Sequence, residues 1–514
     1  MNDTVHVTSV SPPLPHLARG ELQCDNNLWG GSQESGKDMT MEIIESTTQD
    51  RVGDRNAGYR ALLLAALCSL LSTAQSAHAA AAENPAQADP QVQSEEDAGG
   101  PGEQTAEEAT VAEEAAAAEG SASPDWQGTT LSGDWGGARQ KMYDRGIQTD
   151  LLYTADFLHN YTGGLKTGGT YVGHVDLIVQ IDGQKLIGWE GGSAYLQVIS
   201  NGGGRFNSNY VGSLMGVDNF EAPVNRTGIF RAWLQQSFLD DKASLRVGLY
   251  PIDTEFYVTD SSGIFLHPSF GMAAEAAYFG SLAGPSIYGT SSYGARLRVD
   301  PDPSWYAMLA VTRGIPSDRI ATAGPNVSWQ NAVGSMLIGE AGFSPVKAGL
   351  FGDQASAGEK SDDDYSPISK VAVGLWRYTP QFNQLVATDA AGQALSATHW
   401  GGYVLAEQTV YRVPGANRDL TAFARYGFTD GSTTALAYSV SAGLSFRGPF
   451  ADREKDTFGI AATRAHADPQ GRAQLSSDAG MPLTSTNETV VEVTYKAQVL
   501  PAVVLQPLVQ RIFN

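Results

Sequence analysis

Polar and apolar residues alternate with a period of two from Ile147 onward, which is the pattern of strands with one apolar and one polar face. In the first such segment Ile147, Thr149, Leu151, Tyr153, Ala155 and Phe157 share one face, and Gln148, Asp150, Leu152, Thr154 and Asp156 share the other. Gly173, Val175, Leu177, Val179 and Ile181 alternate in the same way with His174, Asp176, Ile178, Gln180 and Asp182. The pattern predicts further strands over 228–238, 243–250, 294–299, 369–378, 420–427, 435–446, 488–497 and 503–513. Most are about 8–11 residues long, enough for a tilted strand to cross a bilayer.

Alternation alone also suits a secreted β-sandwich. The strand-rich region from Trp126 to the end is 389 residues, longer than a usual sandwich, and its glycine-rich connections are unequal. Unequal connections suit a transmembrane barrel, with short turns at one end and long loops at the other. Its polar faces carry charges, such as Arg296 with Arg298 and Glu492 with Lys496, that make sense if that face meets water. The expectation is an all-β protein, a closed transmembrane antiparallel β-barrel of about 16 strands with a short N-terminal helix before the first strand.

Composition agrees. Of 514 residues 17% are charged, against roughly 25% in ordinary soluble domains, while glycine numbers 57 and tyrosine 20. The long apolar run Ala61 to Leu71, with Arg55 and Arg60 before it and Ala77-His78-Ala79 after it, reads as a signal peptide. It is too short for a membrane-spanning helix, which needs about 20 residues. Residues 1–79 are thus an N-terminal extension with its signal, and Met39 and Met41 are alternative starts within it. Residues 80–125 are an acidic Ala/Glu-rich arm with twelve carboxylates and no lysine or arginine, unable to bury a core. Both cysteines, Cys24 and Cys68, precede the expected cut near Ala80, so the mature chain would hold no disulfide, and Leu67 before Cys68 disfavours lipid attachment.

The formal charge of −23 is concentrated before the barrel. Residues 126–514 hold 28 basic and 35 acidic residues, a balance that disfavours a nucleic-acid partner. No G-x-S-x-G elbow, H-E-x-x-H or P-loop occurs, and His159, His174, His267, His399 and His466 lack ligand spacing. The run Asp362-Asp363-Asp364 lacks calcium-loop spacing and reads as a solvated loop. No cofactor, metal or enzymatic activity is expected.

Leu131-Ser132-Gly133-Asp134-Trp135-Gly136-Gly137-Ala138-Arg139, then Met142 and Gly146, resembles the opening of the OprB family of carbohydrate-selective porins. In family order there follow Trp233 to Phe256, Gly374 to Thr379, Gly448-Pro449-Phe450 with Arg453, Asp456 and Gly459-Ile460, and Leu505-Gln506-Pro507. Leu508, Arg511 and the end at Asn514 depart from the family pattern. The motif residues themselves suit packing and turns: Asp134 is a candidate N-cap for a helix through Tyr143, and Gly146 its stop.

The resemblance implies passive, carbohydrate-selective diffusion of small sugars through a water-filled barrel in the outer membrane of a Gram-negative cell. It also implies that the pair of strands over 228–250 and the segment Tyr257 to Tyr293 form the constriction. With Phe230, Ala232, Leu234 and Phe238 toward lipid, alternation puts Arg231, Trp233, Gln235 and Ser237 inside. Arg246 follows in the next strand, with Asp253 and Glu255 at its end, and Arg296, Arg298 and Trp376 join the lumen set. Aromatic faces for sugar rings and charged groups for hydroxyls are the chemistry such a site needs, although Arg231 and Arg246 could equally be ion pairs bracing the wall. A secreted or periplasmic carbohydrate-binding β-sandwich is the second reading, an outer-membrane enzyme such as a lipase the third. The partners expected are sugars and outer-membrane lipid, and a homotrimer is one assembly such a barrel could form.

Overall fold

The computed structural model describes residues 3–9 and, apart from 222–224, 278–284, 290, 315–333, 346–367, 414–415 and 479–484, residues 124–514. The apolar run, both cysteines, nearly all of the acidic arm and Asp362-Asp363-Asp364 lie outside the described residues. The described residues all fall in one of two compact units of the chain.

Fifteen strands follow one another around a single antiparallel sheet. They are β2 (Ile147–Thr162), β3 (Gly168–Asp182), β4 (Gly192–Gly203), β5 (Arg226–Phe238), β6 (Ala243–Tyr250), β7 (Ser292–Asp302), β8 (Trp305–Arg313), β9 (Ser335–Phe343), β10 (Ser369–Thr388), β11 (Ala394–Arg412), β12 (Asp419–Thr429), β13 (Tyr438–Arg447), β14 (Thr457–His466), β15 (Asn487–Leu500) and β16 (Val503–Phe513). An odd number of antiparallel neighbours leaves the first and last running the same way, so they cannot pair antiparallel with each other. A further strand, β1 (Asp3–Ser9), lies between them, antiparallel to both β16 and β2, and closes the barrel. A cut near Ala80 would part that strand from the rest.

Outward side chains form the expected apolar band, with Leu151, Leu177, Leu234, Leu297, Leu309 and Leu375 exposed. Exposed Trp305, Tyr411 and Phe458 mark the end where β2 begins, and Trp400, Tyr426 and Tyr161 the other, as aromatic girdles do. No helix among the described residues is long and apolar enough to cross a membrane.

β4, β8, β9, β11 and β14 are not among the predicted segments, and for β8 and β9 the reason is visible in the packing. The inner positions of β8 and β9 are themselves apolar: Tyr306, Met308, Ala310, Met336 and Ile338 are buried against chain that fills this part of the barrel. An apolar inner face erases the alternation.

Two short helices precede β2: α1 (Trp126–Thr129) and α2 (Ala138–Asp144). The second starts later than an Asp134 cap would place it, because Gly136 and Gly137 are left-handed at φ 66° and 84°. Asp134 instead closes a turn, accepting from Gly136 N at 3.0 Å. Gly146 ends the helix as expected, at φ 81°.

Candidate functional site

After β6 the chain turns into the barrel, and the described parts of 251–289 are almost wholly buried. Strand after strand holds this segment through inward-pointing carboxylates. Glu340 on β9 accepts from Tyr257 N at 2.9 Å and from the hydroxyls of Tyr306 and Tyr403 at 2.7 and 2.6 Å. Glu407 on β11 accepts from Asp260 N and Ser261 N at 3.1 and 3.0 Å. Glu492 on β15 accepts from Leu266 N and His267 N, both at 2.8 Å. Arg425 on β12 donates to the carbonyls of Gly271 and Ser269 at 2.6 and 2.7 Å. A second inward stretch is held likewise: Glu488 accepts from Leu214 N and Met215 N at 2.9 and 2.8 Å. Glu407, Glu492 and Glu488 each fix a two-residue step of backbone through both oxygens, whereas Glu340 fixes one backbone N–H and two tyrosine hydroxyls.

On the neighbouring strands β5 to β7 the inward charges are arginines. Glu255, at the start of the inward segment, bridges two of them: Arg296 Nη2 lies 2.5 Å and Arg246 Nη1 3.2 Å from its oxygens. Gln235 accepts from Arg246 Nε at 3.1 Å and Arg296 Nη2 at 2.9 Å, tying the three strands together. Burial alone would raise the Glu255 carboxyl, but the adjacent Arg246 and Arg296 outweigh it and hold it at about 2. Trp233 stacks on Tyr195 with ring centroids 5.1 Å apart and 5° between planes, and Arg246 lies 3.9 Å from its ring centre. Since β4 and β6 flank β5 on opposite sides, Tyr195 and Arg246 bracket the indole.

Arg231 donates Nε to Gln197, and its Nη2 is buried with no hydrogen-bond partner. Asp253 accepts from Tyr288 N at 2.9 Å through one oxygen, while its other oxygen is buried and bare. Burial pushes its carboxyl up to about 7, against the Tyr288 N–H and the nearby Arg231 charge, which lower it.

The model of the carbohydrate-selective porin family OprB matches residues 166–514 of this chain. The chain belongs to the OprB family. It is an outer-membrane porin for sugars, and nothing supports the sandwich alternative. Porin B of Pseudomonas aeruginosa is 24% identical over 357 residues, covering 65% of this chain and 73% of that relative. The putative porin QuiX of Acinetobacter baylyi is 21% identical over 412 residues, covering 74% and 88%. The high-pH structure of Pseudomonas putida OprB is similar with a TM-score of 0.61 at 18% identity, covering 75% of this chain and 98% of that one, a likeness of fold. Family and fold are those of a channel rather than an enzyme.

Of the residues predicted for this OprB-family lumen, the structure gathers Trp233, Gln235, Arg246, Glu255 and Arg296 into one cluster, with Arg231 and Asp253 beside it. Arg298 sits farther along β7, bonded by Nε to both oxygens of Asp300 at 3.0 Å and lying 5.0 Å from the Tyr306 ring centre. Trp376 does point inward, but on β10, within an aromatic group with Tyr378 and His399.

Two expectations are corrected. Phe230 does not face lipid: a register shift opposite Gln197 and Val198 puts both Phe230 and Arg231 inside, and Ile229 takes the outward place. Glu492 and Arg296 do not meet water, because the inward segment covers and bonds them. The wall carboxylates Glu340, Glu407 and Glu488 escaped the sequence reading. For Glu340 and Glu407 the signal was one acidic residue at an inner position of a largely apolar strand, and for Glu488 its place four residues before Glu492 on the same face of β15.

Proposed function

We propose that sugars pass this porin along the basic wall, where Arg231, Trp233, Gln235 and Arg246 lie beside Asp253 of the inward segment and the buried Arg296–Glu255 pair braces them from behind, with Arg298 lining the lumen toward the end where β2 begins. The observation that carries this reading is the pair of unsatisfied buried groups, Arg231 Nη2 and Asp253 Oδ1. One is a donor and one an acceptor, close enough that the charge of Arg231 acts on the carboxyl. A hydroxyl can serve both, accepting from the guanidinium and donating to the carboxylate. Other buried polar atoms among the described residues also lack a partner, and what sets these two apart is that a donor and an acceptor of opposite charge are coupled at the basic wall, where a passing polar solute is a physical reason for them. Trp233 sets the place of Arg246 and presents what remains of its edge to the solute. Lipid surrounds the outward aromatic girdles, and association of three barrels is open to cross-linking of the assembled protein.

Liposome swelling with glucose and with neutral solutes of similar size tests the site. Arg231→Ala and Trp233→Ala should both level the rates between sugar and neutral solute, and Arg231→Ala should also shift ion preference toward cations, since a fixed positive charge leaves a narrow channel. Unchanged discrimination in both variants would remove this wall from the selectivity site and leave the porin reading standing.

A further inference from the structure

The motif Leu131–Arg139 lies just before β2, and it presents an exposed tryptophan beside the end of the barrel where β2 begins. Trp135 is 50% exposed and holds a left-handed backbone at φ 55°, a conformation that bulky residues rarely adopt. One face of its ring is covered by the Arg139 guanidinium, 4.9 Å from the ring centre. That guanidinium is itself anchored, donating to Thr149 O at 2.6 Å, Asp150 Oδ1 at 3.2 Å and Thr130 Oγ1 at 3.2 Å. Asp134 Oδ1 accepts from Gln127 Nε2 at 2.6 Å and Gly136 N at 3.0 Å, which locks the turn. The next two residues, Gly136 and Gly137, have open space where a side chain would be. Strain kept at an exposed aromatic, with its surroundings cleared, asks for a use.

Its location says what meets it. Asp150 shares a face of β2 with Asp156, Leu158 and Asn160, all buried inside the barrel, whereas Leu151, Tyr153 and Phe157 point outward and are exposed. Because Arg139 reaches Asp150, the motif tucks under the lumen side of the wall rather than toward lipid. Water, and whatever the channel carries, is what arrives there.

We propose that Trp135 is a stacking platform for a pyranose ring at this mouth, a subsite separate from the constriction. The free indole face takes the apolar C–H side of the sugar, and Asp134 Oδ2, beside it, accepts from a hydroxyl. This rests on the sugar-porin reading and adds to it an order of contacts: constriction, then platform.

The test uses the full chain inserted in one orientation in a planar bilayer, with glucose added to one side at a time and the saturable drop in ion current recorded. Trp135→Gly removes the ring while relieving the left-handed strain, so folding is kept; Trp135→Asn, also tolerant of that conformation, is the second variant. From the side where β2 begins, both should weaken the glucose half-saturation roughly fivefold, the scale of one lost aromatic contact. From the opposite side they should leave it unchanged. Equal constants for wild type and both variants on the near side would overturn the platform alone. No glucose response of the wild type from either side would overturn the sugar reading and the platform with it.

Discussion

The basic wall of β5 to β7 and the acidic wall of β9 to β15 both put charged side chains into the barrel, and they use them in opposite ways. On the acidic wall, Glu407 and Glu492 each take two backbone N–H groups of the inward segment and Glu340 takes one, with two wall tyrosines, so the carboxyl groups act as fasteners. On the basic wall, Arg246 and Arg296 share a single carboxylate and Arg231 keeps a bare Nη2. Lone backbone donors take carboxylates readily, because a carboxylate has two acceptor oxygens that match two successive N–H groups. Guanidinium groups are donors only, so what the backbone leaves them is carbonyls, as Arg425 shows. An acidic inner wall therefore suits holding chain, and a basic one with unspent donors suits meeting solute hydroxyls.

Breaking the contact by which the inward segment is tied to the basic wall should have the largest effect. Glu255→Gln leaves Arg246 and Arg296 buried without their countercharge, and removing one partner of a buried pair costs about 3–5 kcal/mol. The heat-modifiable gel transition should fall accordingly, and a variant as heat-resistant as wild type would show that Gln235 alone suffices for both arginines. The same carboxyl sets an acid limit. Its folded value of about 2 lies below its ordinary 4.5, so its contribution is complete above 4.5 and is lost as pH falls toward 2.

Unfastening the acidic wall comes next. Glu492→Ala leaves Leu266 N and His267 N without their acceptor, and an unsatisfied buried donor costs about 1–3 kcal/mol. Single-channel conductance should become larger and noisier as the inward segment loosens, while ion selectivity, set across the barrel, changes little. A shift in selectivity as large as that of Arg231→Ala would erase the division between the walls.

The smallest effect sharpens the comparison by pH. Asp253 is raised to about 7 from an ordinary 3.8, so the folded chain holds its proton where the unfolded chain has released it. That contribution is present below 3.8 and declines as pH rises toward 7. Asp253→Asn imitates the protonated form and should lessen the decline in stability between pH 4 and 7, read as the heat-modification midpoint. A profile that still declines as in wild type would assign the slope to another group.

Much of the barrel was legible. β2, β3, β5, β6, β7, β10, β12, β13, β15 and β16 declared themselves through the period-two alternation of their residues. β8 and β9 did not, since inward chain makes their inner face as apolar as their outer one. Within the site, period-two counting found Trp233, Gln235, Arg246 and Arg296 together, but missed the inward place of Phe230, because a bulge advances the face by one residue without marking the sequence.

What the amino-acid sequence determined alone was therefore what local rules govern: the strand period, the turns, the family motifs and the supply of inward arginines. Only tertiary structure decided that the inward segment crosses the lumen, that single glutamates on distant strands fasten it, and that Arg231 and Asp253 keep one bare atom each. Glu492 and Leu266 stand 226 residues apart. No periodicity within a strand reports such a contact, since it exists only once the sheet has closed around the segment it holds.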